Sequence, residues 1–198
     1  MVTGMMEKLL GKKRKGQIGI VTCLFLTILI CILLAFETQV DMYTHVSSMV
    51  EDSLASANLA VAVIDIEQYG IDHRILIKDP DASFELWKEC FRTNLGLDAS
   101  WQMADRNVIS GPVELTDYIV YNVDGRDVHI HTYGRSHSVR TVTGGLGSVK
   151  SPDGKTIEST SIYSRVEFPV SGSFGITARG MKQQLVDVVR NASDMRPE

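Results

Sequence analysis

The chain has 198 residues, 44% of them hydrophobic and 22% charged, with a net charge of −4, which leaves room for one modest globular domain. The charge is unevenly placed: residues 1–17 hold Lys8, Lys12, Lys13, Arg14 and Lys15 against Glu7, whereas from Glu37 onward 15 basic residues face 23 acidic ones. An acidic balance with no basic patch excludes nucleic acid as the expected partner, since little is available to neutralise phosphates.

Residues 18–36 (IGIVTCLFLTILICILLAF) carry no charge. Nineteen residues at ~1.5 Å each give roughly 28 Å, close to the hydrocarbon thickness of a bilayer. A buried core helix would need a polar stripe, and here only Thr22, Thr27, Cys23 and Cys31 interrupt the apolar run. The run therefore predicts a transmembrane helix with the lipid bilayer as its partner. The basic cluster before it predicts a cytoplasmic N-terminus and an extracellular C-terminal part, by the positive-inside rule. Ala35 is followed by Phe36 and Glu37, so no small-residue cleavage site stands at the exit. Thr22 and Ile30 precede the two cysteines, which does not suit a lipoprotein signal. A retained anchor is expected.

Beyond the membrane run, neither glycine nor proline occurs between Ile20 and Tyr69, so the two strongest helix breakers are missing. Val40, Tyr43, Val46, Val50, Leu54, Ala57, Val61 and Ile64 recur at spacings of three and four, the helical period. This pattern predicts one helix from about residue 17 to residue 68, about 78 Å long, with Gly70 as its left-handed cap. Within it, residues 55–66 are apolar except for Ser56, Asn58 and Asp65, so this stretch needs a cover.

A second helix is signalled at Asp79-Pro80-Asp81, with Asp81 or Ser83 as the cap. Phe84, Trp87, Cys90, Phe91 and Leu95 form its apolar face, and Gly96 ends it. The lone Cys90 is expected to be buried and unpaired. After that the texture becomes β. Residues 119–123 and 128–132 flank Asp124-Gly125, the signature of a type I′ hairpin. Residues 139–150 and 155–170 flank Ser151-Pro152-Asp153-Gly154 and predict a second hairpin, with residues 156–163 as a strand wet on one face. Residues 182–190 read as a closing strand by their β-branched content, with a helix as the alternative.

The sequence holds no catalytic, cofactor-binding or metal constellation. Gly154-Lys155-Thr156 lacks the earlier glycine of a phosphate loop, since Val149 holds that position. Gly144-Gly145-Leu146-Gly147 reads as a flexible turn. His129 and His131, with His137 nearby, would share one strand face, but no cysteine or paired carboxylate accompanies them. Asn191-Ala192-Ser193 matches a glycosylation acceptor, a motif frequent by chance. A non-enzymatic, cofactor-free protein is expected.

A basic leader ending in glycine (Lys12-Lys13-Arg14-Lys15-Gly16), an apolar half-helix, an amphipathic half-helix and a β-rich domain together resemble type IV pilins. The layout is most similar to the TadE-like pseudopilins of tight-adherence pilus systems. The resemblance implies leader cleavage between Gly16 and Gln17, and a helix that packs into a filament or its base. Val21 stands five residues past such a cut, where pilin-like proteins usually carry glutamate, which suits a permanent anchor instead.

The resulting expectation is an α+β, pilin-like architecture. Residues 1–17 form a cytoplasmic leader or tail, 18–36 the transmembrane helix, 37–70 its extracytoplasmic extension, and 71–198 an extracytoplasmic α+β domain with an antiparallel sheet. The expected function is structural, in a bacterial tight-adherence pilus or related secretion assembly. Other pilin-like or pilus-assembly membrane proteins would be the partners, and Val40, Tyr43, Val50, Leu54 and Val61 would carry helix packing. The alternative is an anchored sensing or ligand-binding module, with His129 and His131 at its site.

Overall fold

The computed structural model describes residues 2–64, 66–104, 109–172 and 177–188, with side chains from Gly19 on except those of residues 66, 68 and 72. Three helices, α1 (Val2–Ala60), α2 (Ile66–Asp72) and α3 (Pro80–Leu95), precede five strands. These are β1 (Glu114–Asp124), β2 (Asp127–Gly134), β3 (Ser138–Val142), β4 (Ser161–Ser171) and β5 (Thr177–Asp187). The chain divides within α1 into two compact units, Met1–Tyr43 and Thr44–Glu198.

In the first unit every large hydrophobic side chain from Ile20 to Phe36 is exposed, Ile20 at 71% and Phe36 at 68%. The helix is long and apolar enough to cross a membrane. Its polar hydroxyls are turned inward on the backbone: Thr27 Oγ1 donates to the Cys23 carbonyl and Thr38 Oγ1 to that of Ala35, both at 2.9 Å. That removes donors that would otherwise be costly in hydrocarbon.

The second unit is α+β. Here α1 buries Val46, Val50, Leu54 and Ala57 completely, as the three-and-four spacing requires. The helix does not run on to residue 68. It stops at Ala60, and Gly70 lies inside the separate α2 rather than capping α1. No breaker residue is involved. The β-branched Val61, Val63 and Ile64 weaken the helix locally, and tertiary partners favour the turn. The Val61 carbonyl accepts from Ser83 Oγ at 3.5 Å, and Ile64 pairs with Ile77 as an isolated bridge.

Helix α3 is capped by Asp79, whose carboxylate accepts from the Ala82 N–H at 2.9 Å, with Pro80 in the first turn. The expected caps serve elsewhere. Asp81 accepts from Tyr133 Oη at 2.6 Å, and Ser83 Oγ lies 2.6 Å from Tyr118 Oη. Gly96 ends the helix in the left-handed region at φ 66°, as glycine allows. Trp87, Phe91 and Leu95 are buried, whereas Cys90 is free and only half-buried, less covered than its helical phase suggested.

The sheet is fully antiparallel, in the order β3-β2-β1-β4-β5. Asp124 pairs with Asp127, so the hairpin loop is Gly125-Arg126, one residue later than expected. Positive φ falls on Gly125 alone, as in a II′ rather than a I′ turn. The second expected hairpin is reduced to one bridge, Lys150 to Thr156. Instead β3 pairs with β2, while β4 crosses to the other side of β1 and receives β5. The intervening segment is used as a cover. Val149 and Ile157 join Ile119, Tyr121, Val128, Ile130 and Tyr163 in one core cluster, with Leu146 packed against it. Of residues 156–163, expected to form a strand wet on one face, only Ser161 onward is strand, and residues 160–163 are all buried. Residues 182–187 close the sheet within β5, so the helical alternative for this stretch falls.

The sheet thus has two buried faces. On one, Tyr118 meets the rings of Phe84 and Trp87 on α3; on the other lies the cover of residues 143–160. Alternation along β1 assigns consecutive residues, Tyr118 through Tyr121, to opposite faces, and all four are buried.

Candidate functional site

The candidate site residues on α1 separate by burial. Val50 and Leu54 are fully buried and Val61 is 2% exposed, whereas Val40 and Tyr43 are 49% and 37% exposed. The buried three serve the core of the Thr44–Glu198 unit; the exposed two belong to the other unit. Gly16 and Gln17, the expected cleavage point, lie where side chains are outside the described residues, as does the acceptor motif at Asn191.

The centre of the core is polar and hydrogen-bonded. Asn58 Oδ1 accepts from Trp87 Nε1 and from Ser164 Oγ, both at 2.8 Å, and its Nδ2 donates to the Gln184 carbonyl at 3.2 Å. One side chain thereby ties α1 to α3, β4 and β5. An unpaired amide there would cost about 1–3 kcal/mol per group, so the geometry fixes one register of helix on sheet. Asn122 plays a similar role on β1. Its Oδ1 accepts from the Ile77 N–H at 2.8 Å and its Nδ2 donates to the Ile77 carbonyl at 3.0 Å, pairing one residue of the α2–α3 connection as a strand would. The sequence marked Asn58 as a polar intruder in an apolar stretch, but nothing in it named the partners.

Apolar surface remains beside this core. Val61, Val63, Ile77, Ala82 and Leu86 line a cavity of about 250 Å³, with Val63 62% and Leu86 42% exposed. A larger, polar groove of about 490 Å³ runs along α1 past His45, Ser48, Asp52 and Ser56 to Asn94.

His129 and His137 lie near enough to His131 to bear on its charge. His129 Nδ1 lies 2.9 Å from Thr141 Oγ1, and the His137 ring meets that of Tyr133 at a tilt of 57°, centroids 4.9 Å apart. Burial holds the His131 imidazole below its ordinary pKa, against the opposing pull of Asp81. Among the described residues no group of three metal-ligating side chains forms. Burial also raises the phenols of Tyr118, Tyr121, Tyr133 and Tyr163, the last to about 12, which keeps them neutral core groups.

The Ser151–Lys155 segment is a tight turn. The Ser151 N–H donates to the Lys155 carbonyl and the Gly154 N–H to that of Ser151, both at 2.9 Å. Asp153 accepts from Ser151 Oγ, which holds its carboxyl below the usual range although burial opposes this. A negative side chain inside the turn repels rather than cradles a phosphate. At the far end of the sheet Glu167 gathers Arg135, Arg179 and Arg165 at 3.3, 3.7 and 4.0 Å, and Arg135 also reaches Glu114 at 3.9 Å. The charges there are largely mutually compensated. No family model matches the chain, and no curated protein or solved structure matches it either.

Proposed function

We propose that the chain is a non-enzymatic, pseudopilin-like structural subunit, anchored by α1 in a cell membrane. Its N-terminus lies in the cytoplasm and its sheet unit outside, and it serves a tight-adherence pilus or a related secretion assembly. The observation that carries this reading is the change of role along α1. Large apolar side chains are exposed from Ile20 to Phe36 and fully buried at Val46, Val50 and Leu54. A helix that is apolar all round suits lipid and neighbouring helices, and a helix with one buried stripe suits its own domain. The basic residues 8–15 supply the orientation by the positive-inside rule.

Val50 and Leu54 are not available to partners in this reading, because the core uses them. Association falls instead to the membrane run and to Val40 and Tyr43. A photo-crosslinking amino acid placed at Tyr43 in the full chain, in its native membrane, tests the proposal. Crosslinks to copies of the chain or to other single-helix membrane subunits are expected. Crosslinks to lipid alone would remove the assembly role and leave a plain anchored module.

A further inference from the structure

We infer that β3 is a docking edge for an extended acidic strand of a partner protein, an inference that does not depend on the pilus reading. The two edges of the sheet differ. Along β5, the Gln184 carbonyl is taken by Asn58 of α1, and Lys182 Nζ meets Glu51 of α1 at 2.6 Å, so the helix attends to that edge. Among the described residues β3 pairs on one side only, with β2. Ser138, Val139, Arg140 and Thr141 are all exposed, Val139 at 60%. A strand with one side unpaired offers backbone donors and acceptors to an added strand.

Charge selects the partner. The chain from Glu37 on is acidic, yet residues 125–150 hold Arg126, Arg135, Arg140 and Lys150 against Asp127 alone. This local excess is what the charge of the whole domain concealed. Arg135 is engaged by Glu167 and Glu114; Arg126, Arg140 and Lys150 have no carboxylate within ion-pair distance among the described residues. Arg140 sits at the middle of β3. A second copy adding its own β3 antiparallel about that centre would set Arg140 against Arg140, which like-charge repulsion disfavours. A strand with a glutamate or aspartate at the opposed position is accepted instead, so one residue both discourages self-pairing and specifies the partner.

The test uses the full chain in lipid nanodiscs with two labelled peptides, one alternating glutamate with valine and one alternating lysine with valine. The acidic peptide should bind, and amide hydrogen exchange should slow within residues 138–142 and not along β5. R140E should weaken it about fivefold to tenfold and make the lysine peptide the better ligand, while R140Q should weaken it less and reverse nothing. Circular dichroism of both variants confirms that the fold is kept. Failure of the acidic peptide to bind, equal binding of both peptides, protection outside β3, or tighter binding of a single-stranded oligonucleotide without backbone protection would each overturn the inference.

Discussion

Two stretches of one helix, residues 20–36 and residues 46–60, place large apolar side chains in different surroundings. In the first they are exposed throughout; in the second Val46, Val50, Leu54 and Ala57 have no exposure at all. The difference lies in the polar residues between them. Residues 20–36 offer only threonines and cysteines between the hydrophobic positions, with Thr27 bonded back to its own helix. Residues 46–60 interleave Glu51, Asp52, Ser56 and Asn58, leaving one stripe for the sheet and one wet side. Hydrophobicity alone does not say what a helix packs against; the placement of its few polar groups does.

The largest contrast is expected from the same substitution in the two stretches. Leu54→Asp puts a charge in the dry core and should abolish folding of the Thr44–Glu198 unit, a cost of several kcal/mol. Leu29→Asp should leave that unit's thermal transition unchanged and instead impair membrane insertion, by about 2.5–3.5 kcal/mol on translocon scales. Fractionation and melting of the two variants in parallel would separate the effects; equal loss of fold in both would erase the distinction.

Next comes the polar centre. Asn58→Ala strands the Trp87 indole N–H and the Ser164 hydroxyl, and should lower stability by about 2–4 kcal/mol, from two unpaired buried groups at about 1–3 each with partial relief by rearrangement. Asn58→Leu leaves the same donors stranded and should not rescue it. A melting change under 0.5 kcal/mol would show that the hub adds little. Its surface counterpart is small: Glu51→Gln breaks the ion pair to Lys182, whose partners are 50% and 28% exposed, and should cost less than about 1 kcal/mol, less still in high salt.

The smallest effect is one of pH. The folded unit holds His131 below its ordinary pKa, chiefly through burial, with His129 and His137 adding to the depression and Asp81 opposing it. The unfolded chain therefore binds the proton more readily. This contribution is intact above the unfolded pKa and is lost as pH falls through the folded value. Denaturation midpoints measured at pH 7.5 and pH 5.5 should drop less for His131→Gln than for the parent; an equal drop would assign the acid sensitivity elsewhere.

Much of this architecture is legible in the sequence where the signal is local. The apolar run needs no partner to be recognised, and α3 announces itself by Asp79-Pro80 at one end and Gly96 at the other. The closing strand follows from Val186 and its neighbours. Readings failed where tertiary contacts decide. Nothing before Gly70 breaks a helix, yet Ser83 and Ile77 draw the chain out of α1 at Val61. The second hairpin looked sound because Pro152-Asp153-Gly154 does form a turn, but Val149 and Ile157 gain more by covering the sheet than by extending it. Of the candidate packing residues, periodicity put Val40 and Tyr43 on the same stripe as Val50, Leu54 and Val61. It could not say where along α1 the domain stops, since the repeat crosses the boundary at Tyr43 unbroken. The unpaired edge of β3 was invisible for the same reason: which strand ends a sheet is a property of the topology.

The central claim, that lipid covers the first stretch of α1 and water reaches the end of the second, can be measured at two leucines. Leu29 and Leu59 are 42% and 62% exposed in the protein itself, so any difference between them in a membrane comes from the bilayer. With Cys23, Cys31 and Cys90 replaced by alanine, Leu29→Cys and Leu59→Cys are each treated, in intact cells, with a membrane-impermeant maleimide. Position 59 should react fully and position 29 not at all until detergent is added. Comparable labelling at both positions, or labelling at neither before lysis, would contradict the membrane-anchored, outward-facing arrangement.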